Sequence, residues 1–161
     1  MSNISSHRIA DIRGRKHFTD DFGKFYITAG TEDDYDRTDI LATAVTNPNK
    51  IYTIEIKSYD NKDFPRPYEK YTKQGIDYGY QVDYDKIDYL MRMWENEGRI
   101  PILYAHFTDI TLVWDLRKIP YKERKKLKWV NKDGQNYHKY TELSWQTYLY
   151  RDEAILEKIS N

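Results

Sequence analysis

The sequence predicts an α/β fold with a mixed β-sheet flanked by helices. Three observations lead there. Aromatic residues near the N-terminus recur at helical spacing. Two β-type segments follow, the second alternating strictly between apolar and polar residues. A strongly amphipathic helical segment then precedes two short apolar runs. The order helix, strand, strand, helix, strand, strand belongs to a layer of helices packed on a mixed sheet.

Met1 to Lys16 is polar, with Arg8, Arg13, Arg15 and Lys16, and reads as a flexible arm; residues 17–161 read as one domain. Phe18, Phe22, Phe25 and Tyr26 fall at i, i+4, i+7 and i+8, one face of a helix, with Gly23 working against it. The acidic stretch Thr31–Asp39 leads into the β-type segment Ile40–Thr46, and Asn47-Pro48-Asn49 signals a turn. In Ile51–Lys57, Tyr52, Ile54 and Ile56 take one face and Thr53, Glu55 and Lys57 the other, the pattern of a strand with one polar face. The two segments together predict a β-hairpin. Ser58–Gln81, rich in Tyr and Lys, reads as a long loop. Asp83 stands as the N-cap of a helix carrying Ile87, Leu90, Met91 and Trp94 on one face, stopped by Gly98. Ile100–Phe107 and Ile110–Leu116 are the next strands, and the tail Trp145–Ile159 is expected to end in a helix.

Composition excludes several classes of function. The 161 residues carry 26 Lys+Arg and 26 Asp+Glu, so no overall basic coat awaits a nucleic acid, though a local basic surface remains open. With no Cys, there are no disulfides, thiolate zinc sites, cysteine nucleophiles or iron–sulfur clusters. Met1–Ala10 has no apolar run, so no secretory leader is expected, and no apolar run nears the roughly 20 residues of a membrane helix. The expectation is a soluble, cytoplasmic protein with no membrane association. The four His are scattered; His106, in an apolar strand, is expected to be a packed residue rather than a ligand.

The chemistry sits on the predicted hairpin. Asp39 heads its first strand, and Glu55 and Lys57 share a face near the end of the second. A hairpin can bring the start of one strand beside the end of the next. Asp39 and Glu55 would then offer carboxylate oxygens to one hard cation such as Mg²⁺, with Lys57 beside it. That set suits phosphodiester hydrolysis: the ion activates water and neutralises charge, and the lysine orients the water or steadies the phosphorane. The acid-x-Lys triplet alone says little, because it recurs at Asp60–Lys62 and Glu123–Lys125. Only Glu55–Lys57 lies on a clean alternating strand behind an Asp-headed one. The competing reading is a solvent-facing strand with ordinary surface charges.

Asp39-Ile40 followed by Tyr52-Thr53-Ile54-Glu55-Ile56-Lys57 resembles the PD-(D/E)XK nuclease superfamily, which has the restriction-endonuclease-like fold. The resemblance spans residues 15–116. It implies an αβββαβ core, with Asp39 and Glu55 as metal ligands, the Ile56 carbonyl as a further ligand and Lys57 as the catalytic lysine. The implied cofactor is Mg²⁺ or Mn²⁺. Thr38 stands where other members carry Pro, and the first helix offers no Glu. Asp20 is the acid chosen there. Gln74 and Tyr78 look like the Gln-x-x-x-Tyr element of one branch; the plainer reading is a Tyr-rich loop. The compact size resembles small phage or mobile-element nucleases, which places the expected activity, a Mg²⁺-dependent endonuclease acting on DNA, in a bacterial or phage-infected cell.

Residues 117–128 hold seven basic residues and one acid, Glu123. Such a run is most simply a solvated face. Beside a phosphodiester site, Arg124, Lys125, Lys126 and Lys128 become candidate contacts to the backbone of double-stranded or branched DNA. A homodimer is expected if both strands are cut. The alternative of a different class is a non-catalytic nucleic-acid- or protein-binding module on the same fold.

Overall fold

The computed structural model describes residues 6–23, 26–30, 40–59, 79–130 and 142–160. Helix α1 runs Ser6–Phe22, so it starts inside the segment expected as a flexible arm. It also stops earlier than the aromatic spacing suggested. The Gly23 N–H donates to the Thr19 carbonyl at 2.8 Å, and strand β1, Tyr26–Gly30, begins where the helix was expected to continue. Phe18 and Phe22 do face the sheet, packing edge-on against Tyr104.

Strands β2, Ile40–Ala44, and β3, Asn47–Ser58, form the predicted antiparallel hairpin. The turn falls at Val45-Thr46, ahead of Asn47-Pro48-Asn49. The register jumps from Ala44–Asn47 to Thr43–Ile51, so Pro48, Asn49 and Lys50 make a bulge just after the turn. Proline has no N–H for a ladder, and Asn47 Oδ1 accepts from the Asn49 N–H at 3.2 Å. The turn chemistry is there, displaced by a few residues.

Strand β4, Tyr80–Asp83, lies at the end of the expected long loop; residues 60–78, with Gln74 and Tyr78, fall outside the described residues. Helix α2 spans Tyr84–Glu97 and ends as expected at Gly98, whose φ of 69° is the left-handed conformation that glycine adopts without strain. Its N–H donates to the Trp94 carbonyl. Strands β5, Ile100–His106, and β6, Ile110–Asp115, form an antiparallel pair. A 3₁₀ turn, Leu116–Lys118, leads toward β7, Lys126–Val130. The C-terminal region is not helical. It forms β8, Glu142–Leu149, a 3₁₀ turn at Arg151–Glu153, and β9, Leu156–Ile159, which pairs with β6.

The strands make two sheets. The larger has the order β1-β2-β3-β5-β6-β9; β3 and β5 run parallel and every other neighbouring pair is antiparallel. The smaller is antiparallel, in the order β4-β8-β7. Both faces of the large sheet are covered. On one, α1 packs over Ile54, Ile56, Ile102, Tyr104 and Val113. On the other, α2 and the small sheet enclose Leu103, Leu112 and Trp114. Among the described residues no helix is long and apolar enough to cross a membrane.

Helix α1 approaches β3 closely at Gly14. A Cβ there would stand 2.6 Å from Ile56 Cγ2 and 3.0 Å from Ser58 Cβ. Two effects oppose each other in Gly14→Ala. Helix propensity favours Ala by about 1 kcal/mol. Overpacking against a stiff β-branched side chain costs about 1–3 kcal/mol. The contact is with the central strand, so the clash is expected to win. Thermal unfolding followed by circular dichroism should show a lower midpoint; a raised midpoint would mean that the helix lifts away freely.

Candidate functional site

Two polar residues of β3, Thr53 and Glu55, do not face water. β3 lies between β2 and β5, and its second face is roofed by α2 and β4. Thr53 is fully buried and Glu55 is only 4% exposed. This removes the reading of an ordinary solvated strand. Alternation reports which residues share a face, but not what covers that face.

Glu55 is held between two cations. Lys57 Nζ stands 3.4 Å from Oε1, and Lys86 Nζ, from the first turn of α2, stands 3.2 Å from Oε2. Lys57 is 45% exposed along its side chain, so its ammonium can reach a bound molecule. The three line a cavity of about 500 Å³, together with Tyr59, Tyr80, Asp83 and Gln146. Tyr59 and Tyr80 join hydroxyl to hydroxyl at 2.6 Å. Burial, then Tyr59 and the Glu55 carboxylate, push the Tyr80 phenol well above its usual range, so it stays neutral. Asp83 occupies the N-cap position of α2 but does not cap with its side chain. Its Oδ1 instead accepts from Gln146 Nε2 at 3.0 Å and Ser144 Oγ at 3.3 Å, which ties the cavity wall to β8.

The expected ligands fare differently. Asp39 lies outside the described residues. Ile56 turns its side chain into the α1 core, and its backbone sits in the β3–β5 ladder opposite Tyr104. Asp20 is not part of this site. It is exposed on α1, which packs on the sheet face opposite Glu55. Its neighbour Asp21 is engaged elsewhere, accepting from Tyr104 Oη at 2.6 Å and Lys158 Nζ at 2.8 Å. Among the described residues, no three His, Asp or Glu come together as a metal cluster. A buried carboxylate opening into a polar cavity is still a hard oxygen donor of the type Mg²⁺ takes. Of the expected ligands, Glu55 is the one whose described side chain opens into the cavity.

The basic run separates into different roles. Arg124 is not available to a phosphate. It is 8% exposed, donates from Nη1 to the Tyr148 carbonyl and forms a two-pronged pair with Glu153 at 2.6 and 2.7 Å. Its guanidinium also lies 4.2 Å over the Tyr150 ring. Arg117 is likewise clamped to Asp115. Burial works to raise the Asp115 carboxyl, but the hydrogen bonds from Arg117 outweigh it and hold it below its usual range. Lys125 is exposed, and its ammonium lies over the rings of Tyr84 and Trp145. Lys126 and Lys128 pair with Gln146 and Ser144 across β7 and β8, and so share the face that walls the cavity.

His106 is a packed residue, as expected. Its ring stacks on His17 at 3.8 Å, and Nδ1 lies 2.8 Å from Thr111 Oγ1. Lys86, Tyr80 and Gln146 carry no signal in the sequence that would join them to Glu55, because each comes from a different element. Lys86 is only the polar neighbour of Ile87 on an amphipathic helix. No protein-family model, characterised protein or solved structure matches this chain.

Proposed function

We propose that the chain is a metal-dependent nuclease that hydrolyses phosphodiester bonds in DNA, on a restriction-endonuclease-like αβββαβ core. The observation that carries this reading is the meeting of Glu55, Lys57 and Lys86 at one cavity on the central strand. The strand order supports it: α1 precedes β1-β2-β3, α2 leads into β5, and β5 returns parallel to β3 with β6 antiparallel at its side. Ile40 pairs with Ile54; in the chain, Asp39 precedes the one and Glu55 follows the other.

In this reading Glu55 holds the ion, with Asp39 as the second carboxylate and the Ile56 carbonyl as a further donor. The ion supplies an activated water and charge neutralisation. Lys57, the more exposed cation, places its ammonium against the attacking water or a phosphate oxygen. Lys86 holds the Glu55 carboxylate in its rotamer from the other side. Buried Tyr80 and Leu103 limit bulk water at the cavity floor.

The test is supercoiled plasmid incubated with the purified protein and Mg²⁺ or Mn²⁺, with and without chelator. Nicking or linearisation that the chelator stops is expected. The second reading is a non-catalytic nucleic-acid- or protein-binding module on the same fold. Binding without cleavage on duplex, single-stranded, branched and RNA substrates would establish that reading instead.

A further inference from the structure

Besides Glu55 and its two lysines, the cavity is lined by a hydrogen-bonded chain of Gln81, Gln146 and Asp83 that the hydrolytic chemistry does not use. The middle member is 6% exposed, whereas Gln81 and Asp83, both on β4, are open to solvent. Gln146 Nε2 donates to Asp83 Oδ1 at 3.0 Å and to Ser144 Oγ at 3.3 Å. That leaves Gln146 Oε1 as an acceptor, and it takes an N–H from Gln81 Nε2 at 3.3 Å. One buried amide therefore orients both exposed neighbours. Among the described residues, Asp83 Oδ2 and the second N–H of Gln81 make no hydrogen bond.

Asp83 forgoes a local bond to hold this position. At the N-cap of a helix an Asp side chain accepts from the first-turn N–H groups, worth about 1 kcal/mol. Asp83 makes no such bond and accepts from Gln146 and Ser144 instead. A departure of this kind from the local rule, in a cavity wall, is expected at a functional residue.

Two features set the ligand. The first is size: about 500 Å³ suits one nucleotide, not a length of stacked duplex. The second is the polar pattern. The ammonium groups of Lys57 and Lys86 suit an anion, while Asp83 and Gln81 set a carboxylate oxygen and an N–H on either end of the same amide. Of the four bases, guanine alone presents two adjacent N–H donors, N1–H and N2–H, with the acceptor O6 beside them. Asp83 Oδ2, with both lone pairs open, accepts from that pair, and Gln81 donates to O6. Adenine and cytosine would turn a ring-nitrogen lone pair toward the carboxylate, and thymine has a single N–H between two carbonyls.

We propose that the cavity takes one unpaired guanine nucleotide, its base edge on Asp83 and Gln81 and its phosphate toward Lys57 and Lys86. Gln146 is the positioning residue. Resting on the nuclease reading of the cavity, this assigns the substrate as a DNA strand with an unpaired guanine beside the scissile phosphate, because pairing in a duplex occupies the same base edge.

The first test is calorimetric titration with 5′-dGMP and 5′-dAMP in Mg²⁺; neither holds a phosphodiester bond to cleave. The parent is expected to bind dGMP at least about tenfold more tightly, the scale of one two-pronged base contact. Asp83→Asn keeps an oxygen for Gln146 and puts an NH₂ group where the guanine donors arrive, so dGMP should fall to the level of dAMP. Gln81→Leu should lose part of the preference. Circular dichroism and the unfolding midpoint identify variants that fold as the parent does. Equal parental affinity for the two mononucleotides, or an unchanged preference in folded Asp83→Asn, would overturn the base site. The second test separates a strand from a free nucleotide. It compares, by anisotropy in chelator, a labelled 20-nucleotide oligothymidylate carrying one central guanine, the same strand without it, and a hairpin in which that guanine is paired. The unpaired guanine should raise affinity about tenfold and the paired one should not. A preference for dGMP with no effect of guanine in the strand would overturn the assignment to DNA. Plasmid cleavage is scored separately: guanine preference in a protein that never cleaves would sink the nuclease reading and leave the base site standing.

Discussion

Replacing Glu55 by Gln is expected to abolish metal-dependent cleavage and the metal's effect on stability together. Gln keeps the shape and removes the charge. Lys57 and Lys86 then face each other across a neutral amide, and the cavity loses the carboxylate on its central strand. Turnover on plasmid should fall at least about a hundredfold, the scale seen when one preorganised electrostatic contact is removed. Mg²⁺ or Mn²⁺ should raise the unfolding midpoint of the parent, because an ion that binds only the folded state stabilises it, and should leave Glu55→Gln unmoved. Lys57→Ala separates the roles. It should lose cleavage to a similar extent while keeping the metal-induced shift, since a contact made in the transition state affects turnover more than ground-state binding. Lys57→Arg should rescue poorly, because a planar guanidinium aims its donors differently from a compact ammonium. Cleavage by Glu55→Gln within tenfold of the parent would remove Glu55 from the chemistry.

The largest effect on stability is expected at Arg124. Arg124→Ala removes both prongs of the Glu153 pair, the bond to the Tyr148 carbonyl and the contact with Tyr150. Breaking a buried pair from one side costs about 3–5 kcal/mol, because the other charge stays behind. Glu153 keeps some access to water, which places the expected loss near the lower figure. For a chain of this length that is a midpoint lower by roughly 6–12 °C. Lys125→Ala, one residue on, should unfold near the parental midpoint. Parental stability in Arg124→Ala would mean that Glu153 and the Tyr148 carbonyl find water or other donors at no cost. A variant that neutralises residues 124–126 together would confound folding with DNA binding, so the lysines are to be tested without the arginine.

The two residues show why a basic run is hard to read from sequence. Arg124 and Lys125 are adjacent and alike in charge. Whether a cation meets water or a carboxylate depends here on Glu153, 29 positions away. The same holds on β3. Strict alternation placed Glu55 and Lys57 on one face; the competing reading of a solvent-facing strand fails at Glu55, because β5 and α2, which help to cover it, come from later in the chain. The first-helix acid failed for a related reason: aromatic spacing indicated a helix there, but nothing local says which side of the sheet it takes. α1 lies on the side of Ile56, so Asp20 is separated from Glu55 by the sheet itself.

What the sequence determined by itself was local. The hairpin, helix α2 with its Gly98 stop, the strands β5 and β6, and the sharing of a face by Glu55 and Lys57 all follow from periodicity and backbone preference within short windows. Only the tertiary structure decided the rest. The tail, expected to end in a helix, became β8 and β9 because β4, β7 and the open side of β6 gave its backbone groups partners, and such pairing leaves no local signature. Tertiary packing likewise brought Lys86 to Glu55 and left Trp129 and Trp145 beyond the edge of the core. Those outcomes rest on contacts between residues far apart in the chain, and no short window of sequence contains both partners.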